Sequence, residues 1–203
     1  MKALFCSLIF FAAMAFSCLV FAGQAPEGFV EYEVKKGDTL SALIPQEYWI
    51  LAEKVNRTDR FHLRPGQTIL LPINDEAFSY CPLRKFDSRF KSLKKLFYAN
   101  LEKQVFAVYR EGELAFWGPI CSGAEGHRTI TGWFEVLGKE RKKKSKKYNG
   151  TPMPYSLWFH GHYFIHKQAL PGKAVSKGCI RLLEVDAIRV FYLFEIGDVI
   201  FIE

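Results

Sequence analysis

Two side chains in the stretch from Met153 to Arg181 have the types that acyl transfer needs, His166 and Cys179. A cysteine nucleophile reacts as its thiolate, and histidine is the side chain that takes a proton near neutral pH. Gly178 precedes the sulfur. A small residue there lets a substrate carbonyl approach and leaves backbone N–H groups to bind an oxyanion. The plainer reading of the same residues is a buried thiol, or half of a disulfide, with an ordinary sheet histidine.

These residues need a frame. His166 ends a strand-like run, Tyr163 to His166, and Tyr155 to Phe159 reads as a strand before it. Further strands are expected at Gln104–Tyr109, at Leu114–Ile120 after the turn at Glu111-Gly112-Glu113, at Gly132–Leu137 and at Val199–Ile202. Short strands broken by glycine turns argue for an antiparallel sandwich or barrel. One helix is expected, Glu184 to Phe194, with Val185, Ile188, Val190, Phe191 and Leu193 on its buried side and Asp186 in its first turn.

The first part of the chain has a different texture. Glu31–Val34 alternates as a strand, and Asp38 or Thr39 can cap a helix over Leu40–Ile44. Pro45 interrupts that helix, Tyr48–Asn56 has helical spacing, and Thr68–Leu71 closes as a strand. Tyr32-x-Val34, Gly37-Asp38-Thr39-Leu40-Ser41, Asn56 and Arg64-Pro65-Gly66-Gln67-x-Ile69-x-x-Pro72 together resemble a LysM module over residues 30–74. That resemblance implies a small βααβ fold binding N-acetylglucosamine-containing glycans, with Gly37, Asp38, Thr39 and Leu40 lining the groove. A spacer unit whose turn residues serve only its own fold is the alternative. Residues 75–94 read as a linker packing on the next domain.

Lys2 followed by the uncharged, mostly apolar run Ala3–Ala22 reads as a signal peptide, residues 1–22, cut after Ala22. The alternative is an uncleaved anchor. The expected location is the periplasm or cell wall. Cys81, Cys121 and Cys179 then remain, an odd number in a compartment where disulfides persist. If Cys179 is the nucleophile, Cys81 and Cys121 are left as candidates for a bridge. The formal charge is +7, much of it from the run Lys139–Lys147. Read alone, that run is a solvated loop, or one drawn weakly to wall carboxylates. Export argues against nucleic acid as its partner. No nucleotide loop or cofactor motif occurs, and His162-x-x-x-His166 would suit a metal only on a helix.

Ile165-His166 followed by Ser176-Lys177-Gly178-Cys179-Ile180-Arg181-Leu182 is similar to the signature of the L,D-transpeptidase (YkuD-like) catalytic domain. Ser122-Gly123 through Gly126-His127-x-Thr129-x-x-Gly132-x-Phe134-x-Val136, Met153-Pro154-Tyr155 and Asp186 agree with it in order. The resemblance covers residues 95–203 and makes the chain α+β: a small βααβ unit, then a mainly β, mixed and curved domain with one C-terminal helix. It implies that Cys179 attacks a peptidoglycan stem tetrapeptide and D-Ala leaves a thioester. An amine of another stem, or of a wall-tethered protein, resolves it as a 3-3 cross-link or tether; water would make the chain an L,D-carboxypeptidase. His166 is the general base and acid, with a backbone carbonyl holding its tautomer. Gly178 and Cys179 are the oxyanion donors, and Arg181, Ser176 and Tyr155 contact substrate. Arg181 has a second reading, a salt bridge to Asp186. The family pattern often has histidine at Lys177 and glycine at Lys167. The competing class is a non-catalytic peptidoglycan-binding protein.

Overall fold

The computed structural model describes residues 25–203. The expected signal segment, its cleavage point, Cys6 and Cys18 lie outside the described residues.

Residues 29–72 build a small unit. β1 (Phe29–Glu33) pairs antiparallel with β2 (Thr68–Pro72), and α1 (Leu40–Leu43) and α2 (Trp49–Asn56) lie between them. Pro45 explains why α1 is one turn long. Its ring pushes Ile44 out of the helical region, to φ −143 and ψ 155. Val34, Leu40, Ala52, Ile69 and Leu71 form the core of this unit. The Asn56 side chain ties α2 to β2, donating to the Leu70 carbonyl and accepting the Leu70 N–H at 2.8 Å each.

The segment that follows is packed rather than loose. It makes two 3-10 turns, Asp75–Ser79 and Ser88–Phe90. Phe90 is fully buried against Tyr98 and Tyr109.

Nine strands then form one sheet: β3 (Leu96–Asn100), β4 (Val105–Arg110), β5 (Glu113–Cys121), β6 (Gly132–Glu135), β7 (Gly138–Lys144), β8 (Pro152–His160), β9 (Tyr163–Lys167), β10 (Ile180–Leu182) and β11 (Val199–Ile202). Their order is β6-β11-β3-β4-β5-β10-β9-β8-β7. The sheet curls, so that just beyond β6 the Leu137 N–H reaches the Trp158 carbonyl of β8 at 2.7 Å. Inside the curl lies α3 (Glu184–Leu193). Ala187, Val190 and Phe194 pack there with Phe97 and Phe106, whose rings stack at 5.1 Å. Each such large apolar side chain contributes about 1.5–3 kcal/mol on burial.

Four expectations are corrected. The antiparallel reading from strand pattern gives way to a mixed sheet, as the L,D-transpeptidase resemblance implied, because β9–β10 and β3–β11 are parallel. A parallel neighbour needs a crossover rather than a hairpin, and between β9 and β10 that crossover is residues 168–179, the segment carrying Cys179. The basic run is an edge strand and hairpin tip rather than a loop, paired with β8 through Lys142↔Pro154 and Lys144↔Pro152. Lysines on an edge strand discourage another chain from adding to it. Val185 is exposed, and α3 buries Asp186 and Ala187 in its first turns instead. No disulfide joins Cys81 to Cys121; both are free. Cys121 packs with Leu170 and Leu183, whereas Leu83, beside Cys81, packs in a different cluster with Phe90.

The small unit is docked on the sheet. Lys54 of α2 donates to the Trp117 carbonyl at 2.9 Å and pairs with Asp186 of α3 at 3.3 Å. Past α2, the Asp59 N–H donates to the Leu170 carbonyl at 2.9 Å, and Leu170 N–H returns to the Asp59 carboxylate at 2.8 Å. Leu170 is fully buried and lies in the crossover between His166 and Cys179.

Candidate active site

Cys179 immediately precedes β10, and His166 lies on β9. The parallel register sets Ile180 against Ile165 and Arg181 against His166. Ile165 and Ile180 point into the core. Alternation then puts His166, Cys179 and Arg181 on the opposite face. Cys179 is thus a diagonal neighbour of His166 across one strand pair. The crossover between them is what lets one strand edge supply both.

The cysteine loop is held from several sides. Ser176 Oγ donates to the Cys179 carbonyl at 2.6 Å and accepts the Gly178 N–H at 3.0 Å. Thr129 Oγ1 donates to the Gly178 carbonyl at 2.8 Å and accepts the Gly123 N–H at 2.9 Å. Gly178 sits at φ +109, and a Cβ there would lie 2.5 Å from the Tyr163 ring. Only glycine fits that backbone and that contact.

The Cys179 thiol opens onto a cleft of about 480 Å³ walled by Lys143, Tyr148, Met153, Trp158 and Phe164. At rest it donates to the His162 carbonyl at 3.7 Å. Burial pushes the thiol pKa up, while the Phe164 backbone N–H and the Arg181 guanidinium pull it down. His166 is nearly buried, and burial lowers its pKa to about 4; the Lys167 carbonyl opposes that shift and Arg181 adds to it. Its Nδ1 lies 3.0 Å from that carbonyl. A carbonyl only accepts, so Nδ1 carries the proton and Nε2 holds a lone pair. Near neutral pH the pair is a neutral imidazole and a neutral thiol, not an ion pair.

The lowered histidine has a measurable consequence. The unfolded chain takes up a proton at His166 near 6.5 and the folded chain only near 4. Stability from this group is therefore full above pH 6.5 and is lost as pH falls toward 4. The expected loss is roughly 3 kcal/mol. Urea denaturation at pH 7 and pH 4, compared with His166→Phe, checks it: the wild type should lose that much more than the variant.

Several expected site residues take other roles. Gly178 N–H is occupied by Ser176 and is not a free oxyanion donor. Ser176 is buried and braces the loop instead of facing substrate. Tyr155 packs against Phe191 of α3, on the face of β8 away from the cleft. Its φ of +56 marks a kink, and cleft-facing positions change from Met153 before it to Ser156 and Trp158 after it. Arg181 makes one long contact, Nη1 to the Ala169 carbonyl at 3.5 Å, and pairs with no carboxylate among the described residues. Asp186, its expected partner, pairs with Lys54. In the small unit Gly37 has φ +95, and the Asp38 carboxylate accepts from Tyr32 Oη at 2.9 Å and Lys35 N–H at 2.7 Å. Thr39 is the N-cap residue without a side-chain cap bond, and Leu40 is buried in the core. Leu40 therefore has only backbone to offer a ligand. No group of three or more potential metal ligands occurs among the described residues.

Sequence reasoning did not single out Asp59, Lys54 or Tyr163. Asp59 and Lys54 act across chain separations that no local pattern marks, and spacing does not show that Gly178 packs under Tyr163.

The family model of the L,D-transpeptidase catalytic domain, YkuD, matches residues 94–202. The chain belongs to the YkuD family of L,D-transpeptidases. It is similar to a putative L,D-transpeptidase of Bacillus subtilis, with 28% identity over 167 residues, covering 78% of this chain and 90% of the relative. Among solved structures, an L,D-transpeptidase from Stackebrandtia nassauensis aligns at TM-score 0.52 and 24% identity, over 55% of this chain and 56% of that one. An L,D-transpeptidase in complex with imipenem aligns at TM-score 0.50 and 22% identity, over 54% and 59%. These two share the fold, and the match spans a little over half of each solved chain.

Proposed function

We propose that this chain is an exported cysteine acyltransferase of peptidoglycan, with Cys179 as nucleophile and His166 as its base. The observation that carries this reading is a free thiol facing a cleft, diagonal to an imidazole whose Nδ1–H is fixed on the Lys167 carbonyl. Nε2 is then the lone pair that receives the thiol proton as Sγ turns from the His162 carbonyl. The thiolate adds to the carbonyl of the third residue of a stem tetrapeptide. His166 returns the proton to the departing D-Ala amine, and a thioester remains. An acceptor amine attacks the thioester, gives its proton to His166, and the thiol is restored. The Cys179 N–H serves as oxyanion donor, and Arg181 is free to hold a substrate carboxylate.

The small unit fits a LysM-type glycan module in this account. Its paired β1 and β2 with two intervening helices support that reading, as does the loop at Gly37-Asp38-Thr39. It would hold the chain on glycan in the periplasm or cell wall.

Incubating the purified mature protein with tetrapeptide muropeptides tests the reaction. Release of D-Ala with a new amide supports transpeptidation, and release without one makes water the acceptor. No release from folded protein would leave a wall-binding protein without catalysis. Gly178→Ala offers a sharper check. The added methyl must displace Tyr163 or the cysteine loop, and a shift of about 1 Å at the reacting atom costs about 100-fold in rate. Acylation of Cys179 by a carbapenem, followed by intact mass, should slow by that order.

A further inference from the structure

A second cavity, about 260 Å³, adjoins the Cys179 cleft. Lys147, Tyr148 and His162 line both. The other walls of the smaller cavity are Gly126, His127, Arg128, Tyr163 and Lys177, with no carboxylate among them. Three basic side chains therefore converge from three separate segments. Arg128 comes from the loop after β5, Lys147 from the tip of the β7–β8 hairpin, and Lys177 from the cysteine loop. Like charges gathered at one concavity repel, and an anion relieves that repulsion. The hydroxyls of Tyr148 and Tyr163 and the ring nitrogens of His127 and His162 add polar groups at its wall.

We propose that this cavity is a carboxylate-binding subsite for a reacting peptide, with Arg128, Lys147 and Lys177 as its charged contacts. Its size suits a carboxylate-bearing branch of a peptide rather than a sugar chain. Its position matters as much as its charge. It shares a wall with the nucleophile cleft at His162, whose carbonyl receives the Cys179 thiol. A carboxylate held there keeps the rest of its peptide within reach of the sulfur. Lys177 adjoins Gly178, so a bound anion also touches the loop that aims the cysteine. The three cationic side chains are exposed, so neutral replacements leave the fold intact. The assignment rests on the cleft being a peptide site, and binding is measured separately from turnover so that the two can fail separately.

The test uses the full chain carrying Cys179→Ala, which binds without reacting. Titration calorimetry compares an acidic stem tetrapeptide with its fully amidated counterpart. The acidic peptide is expected to bind at least about ten-fold more tightly, with a gap that narrows as salt rises. Arg128→Gln and Lys177→Gln should each close most of that gap, and Arg181→Gln should leave a measurable part of it. With native Cys179, acidic and amidated peptides supplied first as acyl donor and then as amine acceptor identify which partner the carboxylate belongs to. Equal binding of the two peptides, or a gap unchanged in both Arg128→Gln and Lys177→Gln, would overturn the proposal. Discriminating binding without D-Ala release would keep the subsite and remove the acyltransferase.

Discussion

Replacing Cys179 with alanine is expected to abolish D-Ala release, a fall of at least about 10,000-fold, because covalent catalysis has no second nucleophile to fall back on. The side chain is half-buried and makes one weak contact, to the His162 carbonyl. Thermal stability and glycan sedimentation should therefore be unchanged, which separates loss of chemistry from loss of fold. Wild-type protein should gain the mass of one carbapenem, and Cys179→Ala none, although Cys81 and Cys121 are also free thiols. Cys121 is buried, and Cys81 does not line the Cys179 cleft, so neither is expected to compete. Alkylation of Cys179 by iodoacetamide should keep accelerating above the ordinary thiol pKa, because burial raises this one too. A plateau near neutral pH would instead mean a preformed thiolate–imidazolium pair, and the neutral-pair account of the resting site would fail.

Lys54→Met is the second large effect. Asp186 is almost completely buried; Oδ1 faces Lys54, and Oδ2 has no partner. Burial raises its pKa despite the opposing pull of Lys54, so attraction does not fully repay desolvation. Removing the lysine orphans a buried carboxylate at a cost of about 3–5 kcal/mol at neutral pH. The sign of its pH dependence follows. A carboxylate with a raised native pKa favours the folded state below its unfolded pKa and loses that contribution as pH rises through the native value. The penalty of Lys54→Met should therefore shrink in acid, as Asp186 takes a proton. Asp186→Asn in the same chain should recover most of the loss at pH 7. Equal urea midpoints for Lys54→Met and wild type at pH 7 would show that the contact between the two units carries no stability.

Much of the sheet was legible because its strands alternate or punctuate cleanly. Val199–Ile202 is found at its expected bounds, and Gly132 opens β6 as anticipated. The parallel pairs were not, because strand direction is set by partners far along the chain rather than by local pattern. Lys139–Lys144 hid as a strand for a related reason. Lysine is depleted in strands, and only pairing with β8 overrides that preference. At the candidate site, the types and order of His166 and Cys179 pointed to a pair, and the register of β9 on β10 sets them diagonally, with Cys179 lining the cleft. The roles of Ser176, Gly178 and Tyr155 depend on which way each hydroxyl, N–H or ring faces, and spacing does not encode that. The free Cys81 and Cys121 make the same point, since elimination left as a candidate bridge two thiols that the fold keeps apart, Cys121 packing with Leu170 and Leu183 and Cys81 lying outside that cluster.

The grip of Asp59 on Leu170 sets a fixed ruler. Because the small unit is fastened to the crossover itself, the span from its Gly37–Thr39 loop to the sulfur is determined by surface contact and not by the length of residues 73–94. Lengthening that segment would leave the span as it is. On the proposed reading of the small unit as a glycan module, a polymer seated on it would be offered to the other unit at a constant offset, and branches at a different interval along it would fall out of reach.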